Sequence, residues 1–455
     1  VVVRTLAVLL ALAVWQLVSM AVNMEILLAS PVQVFLRLCT IWREPGFWAT
    51  IWLSMGRMVS GYLLALALGI VLGFFAGRFP LVEILLRPYV VVMKTVPVAS
   101  FIILSLIWFN FHQLTIFVSF LIAFPVIYSN VVTGFRSADE KLLEMAQVYE
   151  VPPAKRLRFI YIPAMQPYLQ TSASVSMGMA WKAGVAAEVI GVVDGSIGER
   201  LYEAKVYFQN ADLLAWTVIL VLLSLLLEKL TVEVTKGRFF CHINQLKALK
   251  NQQISKKEVT KEPSLCHIKI EDLRKCFDGE IVVGGLNLEL PPGGSYCLRG
   301  PSGFGKTTIL RMLAGILAPD AGVISGVPRR IAFVFQEDRL CEEFTAADNV
   351  ALVTGSSMTK MEIADQLKEV GLGETKPVSS FSGGMKRRVA IVRAICYDAD
   401  LLLLDEPFKG LDPDLRGQVA DYILRHTAGK TLICVTHDDA DAALLHARTI
   451  DLTTN

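Results

Sequence analysis

The chain has 455 residues, 53% of them hydrophobic, and its 44 Lys and Arg against 42 Asp and Glu leave a formal net charge of +2. That balance gives no electrostatic footprint for nucleic acid. A mean hydropathy of +0.50 hides a split, because apolar runs fill the first half and ordinary globular composition the second. Of eight cysteines only Cys39 precedes residue 240 and none forms a C-x-x-C pair, so reduced thiols in a cytosolic domain are expected, not a metal site.

A spanning helix needs roughly 20 mostly apolar residues. Runs at 4–22, 51–77, 88–109, 113–134, 169–192 and 211–228 predict six spans. The first follows Arg4 and carries "VSMA" at 18–21, a weak cleavage signal, but its length favours a retained span. Pro97 and Pro125 interrupt two runs, which membrane helices tolerate when neighbours satisfy the freed carbonyls. With the N-terminus inside, Arg4, Arg78, Arg87, Arg136, Lys141, Lys155, Arg156, Arg158, Lys229, Lys236 and Arg238 face inward. Only Arg37, Arg43, Arg200 and Lys205 face outward, the bias expected when both termini are cytoplasmic. An ionisable residue within a span is a functional hypothesis, which singles out Lys94, Lys182 and Glu188. The last two lie six apart, roughly 240° around a helix, and do not share a face.

Inside this apolar half, "EMAQVYEVPPAKRLRFIYIP" (144–163) is polar and cannot span. Its "LLEMAQVY" portion has the apolar spacing of a short amphipathic helix, ended by Val151-Pro152-Pro153. An apolar face in the cytoplasm must meet protein, so docking of this helix in a groove is expected. The permease-like portion is expected to occupy 1–235, with the hairpin at 138–163. Residues 236–264 are Lys-rich and polar, a tether for the anionic inner leaflet, and a second domain covers 265–455.

That domain opens its chemistry at "YCLRGPSGFGKTTILRMLAGI" (296–316), a short apolar strand, a glycine-rich turn and an amphipathic helix. It fits G-x-x-x-x-G-K-[ST] from Gly300 through Pro301, Ser302, Gly303, Phe304, Gly305 and Lys306 to Thr307, with Thr308 next. Backbone N–H groups there close on phosphate oxygens at the positive end of a helix. Lys306 supplies charge for the β/γ-phosphates and the Thr307 hydroxyl can ligate Mg²⁺. "LLLLDEP" (401–407) is a strand apolar throughout, as parallel strands covered on both faces are. Asp405 at its carboxyl end can hold Mg²⁺, and Glu406 can polarise the attacking water. In "FSGGMKRRVAIVRAI" (381–395), Ser382, Gly383, Gly384 and Met385 begin a helix with a basic first turn, a second anion-binding terminus.

A second phosphate cradle in one ATPase resembles the ABC-transporter ATPases, where the signature segment of one subunit closes on ATP held by another. The resemblance implies that Gln336 in "FVFQED" is the Q-loop glutamine at the metal and water. It likewise implies that "GLD" (410–412), ending in Asp412, is the D-loop, His437 in "CVTHDD" the switch histidine, and Phe277 the aromatic that stacks on adenine. Phe381 stands where the family usually has Leu and Met385 where it usually has Gln. The bulky Phe304 is expected to point outward. The hairpin is similar to the E-A-A-x-x-x-G…I-x-L-P segment of importer permeases through Glu144, Ala146, Ile160, Ile162 and Pro163, with Met145 for Ala and Glu150 for Gly. A Gly there could take positive φ, which Glu adopts only at a cost, so the turn is expected to differ in detail. "GFWATIWLSMGRMVSGYLLALALGIVLGFFAG", "TVPVAS" and "GMAWKAGVAAEVIG" are similar to permeases of the nitrate, sulfonate and taurine group.

The resemblance thus implies a six-span all-α permease of the type I ABC importer kind fused to an α/β P-loop ATPase. It implies a homodimer with composite ATP and Mg²⁺ sites, an extracytoplasmic binding protein and a small solute, often an anion. ABC exporters are the competing layout, but they carry long cytoplasmic excursions after spans two and four, whereas "GRFPLVEILLR" after span two is short.

Overall fold

In the second apolar run Gly61, Gly69, Gly73 and Gly77 recur at helical spacing. A Cβ on Gly61 would lie 2.3 Å from the Ile116 carbonyl oxygen, and one on Gly73 would lie 2.8 Å from Val131 Cβ. Two backbones approach closely along this stripe, the small-residue contact by which apolar helices associate without a hydrophobic driving force. The computed structural model describes residues 2–22, 24, 27–235, 267–301, 303–355, 357–373 and 375–452. The expected tether at 236–264 and Ser302 lie outside these. Two compact units result. One contains the described residues of Val1–Ser137 and Ala164–Lys250, the other Ala138–Pro163 and the described residues of Asn251–Asn455.

In the first unit, Thr5–Val22 within helix Val2–Val22, and the helices Phe47–Arg78, Phe111–Arg136 and Asn210–Thr235, are long and apolar enough to cross a membrane. The run at 88–109 is not one straight span. Pro80–Thr95 and Val98–Ser105 meet at 102°, so a fifth crossing exists only if the bent pair counts as one. Proline supplies the reason. Pro97 has no N–H and drives Val96 to an extended ψ of 133°, breaking the helix there. Pro125, by contrast, sits inside a continuous helix. The run at 169–192 falls in Ile162–Gly191 but for its last residue; that helix's 30 residues are long enough to span, but serines, glutamines, Lys182 and Glu188 leave it less apolar than the four helices above. The six expected spans therefore become four or five by length and composition among the described residues. Two shorter helices, Pro31–Ile41 and Ile197–Val206, had no counterpart in the sequence reading.

Glu188 is fully buried in this unit. Its carboxylate accepts from the Ser54 hydroxyl at 2.8 Å and the Gly198 N–H at 3.4 Å, and Arg57 stands 3.7 Å away. Arg57 also reaches His112 Nδ1 at 2.7 Å. Lys182 is exposed, on a different face as its spacing required, and Lys94 donates to the Ser129 hydroxyl at 2.7 Å.

The second unit holds two sheets. Strands β1 (Ile268–Phe277), β2 (Glu280–Leu290) and β4 (Ala321–Ser325) form an antiparallel sheet in the order β2-β1-β4. Strands β3 (Ser295–Arg299), β5 (Ile331–Val334), β6 (Leu401–Asp405), β7 (Thr431–Val435) and β8 (Arg448–Asp451) form a parallel sheet in the order β5-β6-β7-β3-β8. All five residues of β6 and of β7 are buried, as central parallel strands covered on both faces should be. β5 is an edge. The six described cysteines are free, four of them buried, and Cys241 and Cys266 lie outside the described residues.

Candidate functional site

The carboxyl ends of the parallel strands, where open α/β sheets place ligands, surround a cleft of about 350 Å³. Gly303, Gly305, Lys306, Thr307 and Thr308 line it from the loop after β3. Gln336 comes from beyond β5, Asp405 and Glu406 from β6, and His437 from beyond β7. Phe277 closes one side, with Val282 and Val435 as apolar lining that the sequence did not single out.

The loop needs its glycines. Gly305 has φ 72°, and a Cβ there would meet Val283 Cγ2 at 2.8 Å and the Val282 carbonyl oxygen at 2.9 Å. It precedes helix Lys306–Leu313, so the phosphate end of the cleft is a helix N-terminus. The Lys306 ammonium is buried and donates to the carbonyls of Gly300 and Pro301, each at 2.7 Å. Phe304 is 41% exposed and absent from the lining, outward as expected. Phe277 is 44% exposed at the end of β1, an aromatic face open to a planar ring.

Asp405 is only 2% exposed and lines the cleft with Thr307, and its Oδ2 is buried with no hydrogen-bond partner. An orphaned carboxylate oxygen beside a hydroxyl is a donor set that fits a divalent cation, with Gln336 on the same cleft. Burial pushes the Asp405 carboxyl above its ordinary range, outweighing the opposing pull of the Thr307 hydroxyl. The folded chain therefore keeps this proton longer than the unfolded chain does. Its contribution to stability is full below the unfolded value of about 3.9 and is lost as pH rises through the raised one. Asp405→Asn should remove that loss, raising the melting temperature of the nucleotide-free protein at neutral pH while abolishing the stabilisation by Mg²⁺ with ATP. Calorimetry from acid to neutral pH, with and without Mg²⁺ and ATP, measures both. A lower melting temperature at neutral pH would contradict the burial argument.

Glu406 takes a left-handed φ of 49°, unfavourable for a residue with a Cβ by about 1–2 kcal/mol. Its N–H donates to the Val435 carbonyl at 2.8 Å, tying β6 to β7 through that strained residue. The carboxylate stands 3.4 Å from His437 Nε2 and 3.4 Å from Lys409 Nζ. Strain held at a carboxylate 3.4 Å from a histidine on a cleft is the pattern of a functional residue.

Ser382, Gly383, Gly384, Met385 and Asp412 do not line this cleft. Ser382 caps helix Gly383–Cys396, and it and Gly383 are exposed. A Cβ on Gly384 would sit 2.9 Å from the Gly410 carbonyl, so the segments 382–385 and 410–412 adjoin each other. From the same helix the buried Arg387 donates to the carbonyls of Phe335 at 2.6 Å and Gln336 at 2.5 Å, holding the strand exit that carries Gln336.

The hairpin belongs to this unit. Its helix Glu140–Val148 buries Met145 and Ala146 completely. Covering a Met is worth roughly 1.5–3 kcal/mol. Glu144 bridges Arg311 of the phosphate-loop helix at 2.6 Å and Arg339 at 2.7 Å, and Arg339 lies 3.8 Å over the Phe335 ring. Lys155 donates to the Ala351 and Leu352 carbonyls at the end of helix Ala346–Thr354, and Phe159 meets Phe344 with ring centroids 4.5 Å apart. Tyr149 is 2% exposed, and burial keeps its hydroxyl protonated by raising it above its ordinary range. That hydroxyl donates to the Phe333 carbonyl at 3.0 Å and accepts from the Phe333 N–H at 3.3 Å. Sequence reasoning missed Tyr149, Arg311, Arg339 and Arg387.

Glu150 has φ 46° and its N–H bonds the Gln147 carbonyl, while Val151 N–H bonds that of Ala146. This pairing is a Schellman helix end, normally built on glycine. The left-handed turn is therefore made despite the Glu, whose carboxylate lies 3.5 Å from Arg329. Pro163, second in Ile162–Gly191, lacks the N–H that would close an α turn on Phe159, and Leu157–Tyr161 runs as a π-helix before it.

Two family models match the chain: a binding-protein-dependent transport system inner membrane component over residues 65–231, and an ABC transporter model over residues 283–409. The chain is similar to the aliphatic sulfonates import ATP-binding protein SsuB 3 of Paraburkholderia xenovorans, with 39% identity over 41% of this chain and 76% of that one. It is 38% identical to SsuB 1 of Pseudomonas syringae pv. syringae over 41% and 80%. The Nod factor export ATP-binding protein I of P. xenovorans is 39% identical over 37% of this chain and 62% of its own length. Among solved structures, the bacterial ABC transporter cassette MJ0796, determined as a dimer, is 28% identical over 41% of this chain and 94% of that one, with a TM-score of 0.38.

Proposed function

We propose, from the premise that this chain belongs to the ABC transporters as a binding-protein-dependent permease and an ATPase fused in one polypeptide, that it imports a small anion of the sulfonate, taurine or nitrate class. The observation that carries the reading is the joining of a binding-protein-dependent permease match to a P-loop cleft with Glu406, His437 and an orphaned Asp405 oxygen. ATPases of import and of export are both similar to this one, so direction rests on the permease. Permease at 1–235, tether at 236–264 and ATPase at 265–455 is the division we adopt, with the ATPase and both termini cytoplasmic. That side follows the excess of inward Lys and Arg.

In this reading Phe277 stacks on adenine and the loop from Gly300 to Thr308 holds the phosphates. Thr307, Asp405 and Gln336 would hold Mg²⁺, which would supply counter-charge to the phosphates. Glu406 takes the proton of the attacking water and His437 orients it beside the γ-phosphate. An exposed signature terminus away from its own cleft supports a symmetric pair of chains, each completing the other's site. The hairpin through Glu144, Ala146, Glu150 and Pro163 carries the closing motion to the spans, and an extracytoplasmic binding protein delivers the solute.

Proteoliposomes containing the full chain and a candidate binding protein should accumulate a labelled alkanesulfonate, taurine or nitrate only with ATP and Mg²⁺ on the ATPase side. ATP-driven loss of preloaded solute toward the opposite side would overturn import, and accumulation without the binding protein would overturn the need for one.

A further inference from the structure

β5 is the outer strand of the parallel sheet, and an edge strand leaves alternate N–H and C=O groups without a partner. At Phe333 both groups are satisfied by one atom, the Tyr149 hydroxyl, contributed by a residue 184 positions away. The ring is held independently of that hydroxyl. It meets Tyr397 edge-on with centroids 5.0 Å apart, and the Arg393 guanidinium lies 5.5 Å from its centroid. Just past the end of the strand, Phe335 stacks on Phe333 with ring centroids 4.1 Å apart, and Gln336 enters the cleft. Arg387 grips the Phe335 and Gln336 carbonyls from the signature helix.

We propose that Tyr149 is a positioning residue for hydrolysis: its hydroxyl closes the free edge of β5 at Phe333 and so fixes where Gln336 stands in the cleft. The inference rests on the coupling role given to the hairpin and deepens it. The hairpin enters the catalytic geometry through a sheet edge as well as through the Glu144 ion pairs. If the hairpin shifts, the hydroxyl leaves both backbone groups of Phe333 buried and unpaired, which a strand resists. Strand and hairpin therefore move together or the edge opens.

Tyr149→Phe keeps the ring and removes only the hydroxyl. In the full chain in nanodiscs, KM for ATP with Mg²⁺ should stay within about twofold, because no phosphate or adenine contact changes. The kcat should fall by about tenfold, and amide exchange over residues 331–336 should quicken by about tenfold, the scale of one or two lost hydrogen bonds. Lys155→Met serves as the control, since it removes two hydrogen bonds to the Ala351 and Leu352 carbonyls, keeps the side chain's apolar stem and leaves the Tyr149 hydroxyl on Phe333; its kcat and 331–336 exchange should match the unaltered chain. Unchanged kcat and unchanged exchange in Tyr149→Phe would overturn the proposal. A fall of kcat shared equally by Lys155→Met, or a KM that rises with it, would show general loosening and overturn it too. All these readouts need hydrolysis alone. Failure of the wider coupling reading would appear separately, as transport that survives disruption of the hairpin at Ala146.

Discussion

Glu406→Gln should bind ATP as the unaltered chain does yet lose hydrolysis by about 10²–10⁴-fold, the range that a positioned general base contributes. The amide keeps the shape of the carboxylate and can keep the left-handed φ of 49°, so the tie from its N–H to Val435 survives. What it cannot do is accept a proton from water. Of the two carboxylates on the lining among the described residues, Asp405 and Glu406, it is Glu406 that stands 3.4 Å from His437. With ATP and Mg²⁺ present but not consumed, two chains should stay closed on each other. Size-exclusion chromatography and cysteine crosslinking from Ser382 to Gly303 of the other chain measure that closure. Hydrolysis near the unaltered rate would remove Glu406 from this role.

Ala146→Arg should abolish transport while leaving ATP binding in place. Ala146 is wholly buried, and its carbonyl already accepts both the Val151 N–H and an Arg156 guanidinium N–H. A long cation has no room there. Overpacking costs about 1–3 kcal/mol before the burial of an unpaired charge is counted. The helix should therefore leave its groove, drawing Glu144 from Arg311 and Arg339 and Tyr149 from the β5 edge, so hydrolysis slows as well, while the phosphate loop keeps its own contacts and ATP still binds. Solute transported per ATP hydrolysed is the measurement, and a fall of about tenfold or more corresponds to at least ~1.4 kcal/mol of lost coupling. Full transport by this variant would sink the coupling role of residues 144–163.

The nucleotide cleft was legible because each of its parts is local. A strand, a glycine turn and a helix stand contiguous around Lys306, and a buried strand presents Asp405 and Glu406 at its end. Local chemistry of that kind survives whatever lies elsewhere in the chain. The hairpin's amphipathic spacing likewise announced a docking face, and Met145 and Ala146 are fully buried on it. Two expectations changed. Hydropathy could not tell a straight span from a bent pair, because composition is blind to the angle that Pro97 imposes. The cost of a left-handed Glu150 argued against the ordinary turn, yet two helix-end hydrogen bonds and a nearby Arg329 accompany it.

Composition, apolar run length and contiguous motifs by themselves determined the two-part organisation, the phosphate loop, the carboxylate pair and the presence of a docking helix. Only the tertiary structure decided that β5 is an edge, that Tyr149 covers it, that Arg387 holds the strand carrying Gln336, and that Glu144 spans to Arg311 and Arg339. The reason is one of range. "IAFV" reads as a buried strand wherever it lies in a sheet, and nothing within it says which side has a neighbour. That is settled by pairings across 52 positions for Arg387 and 184 for Tyr149, set by sheet order and not by any residue's own propensity.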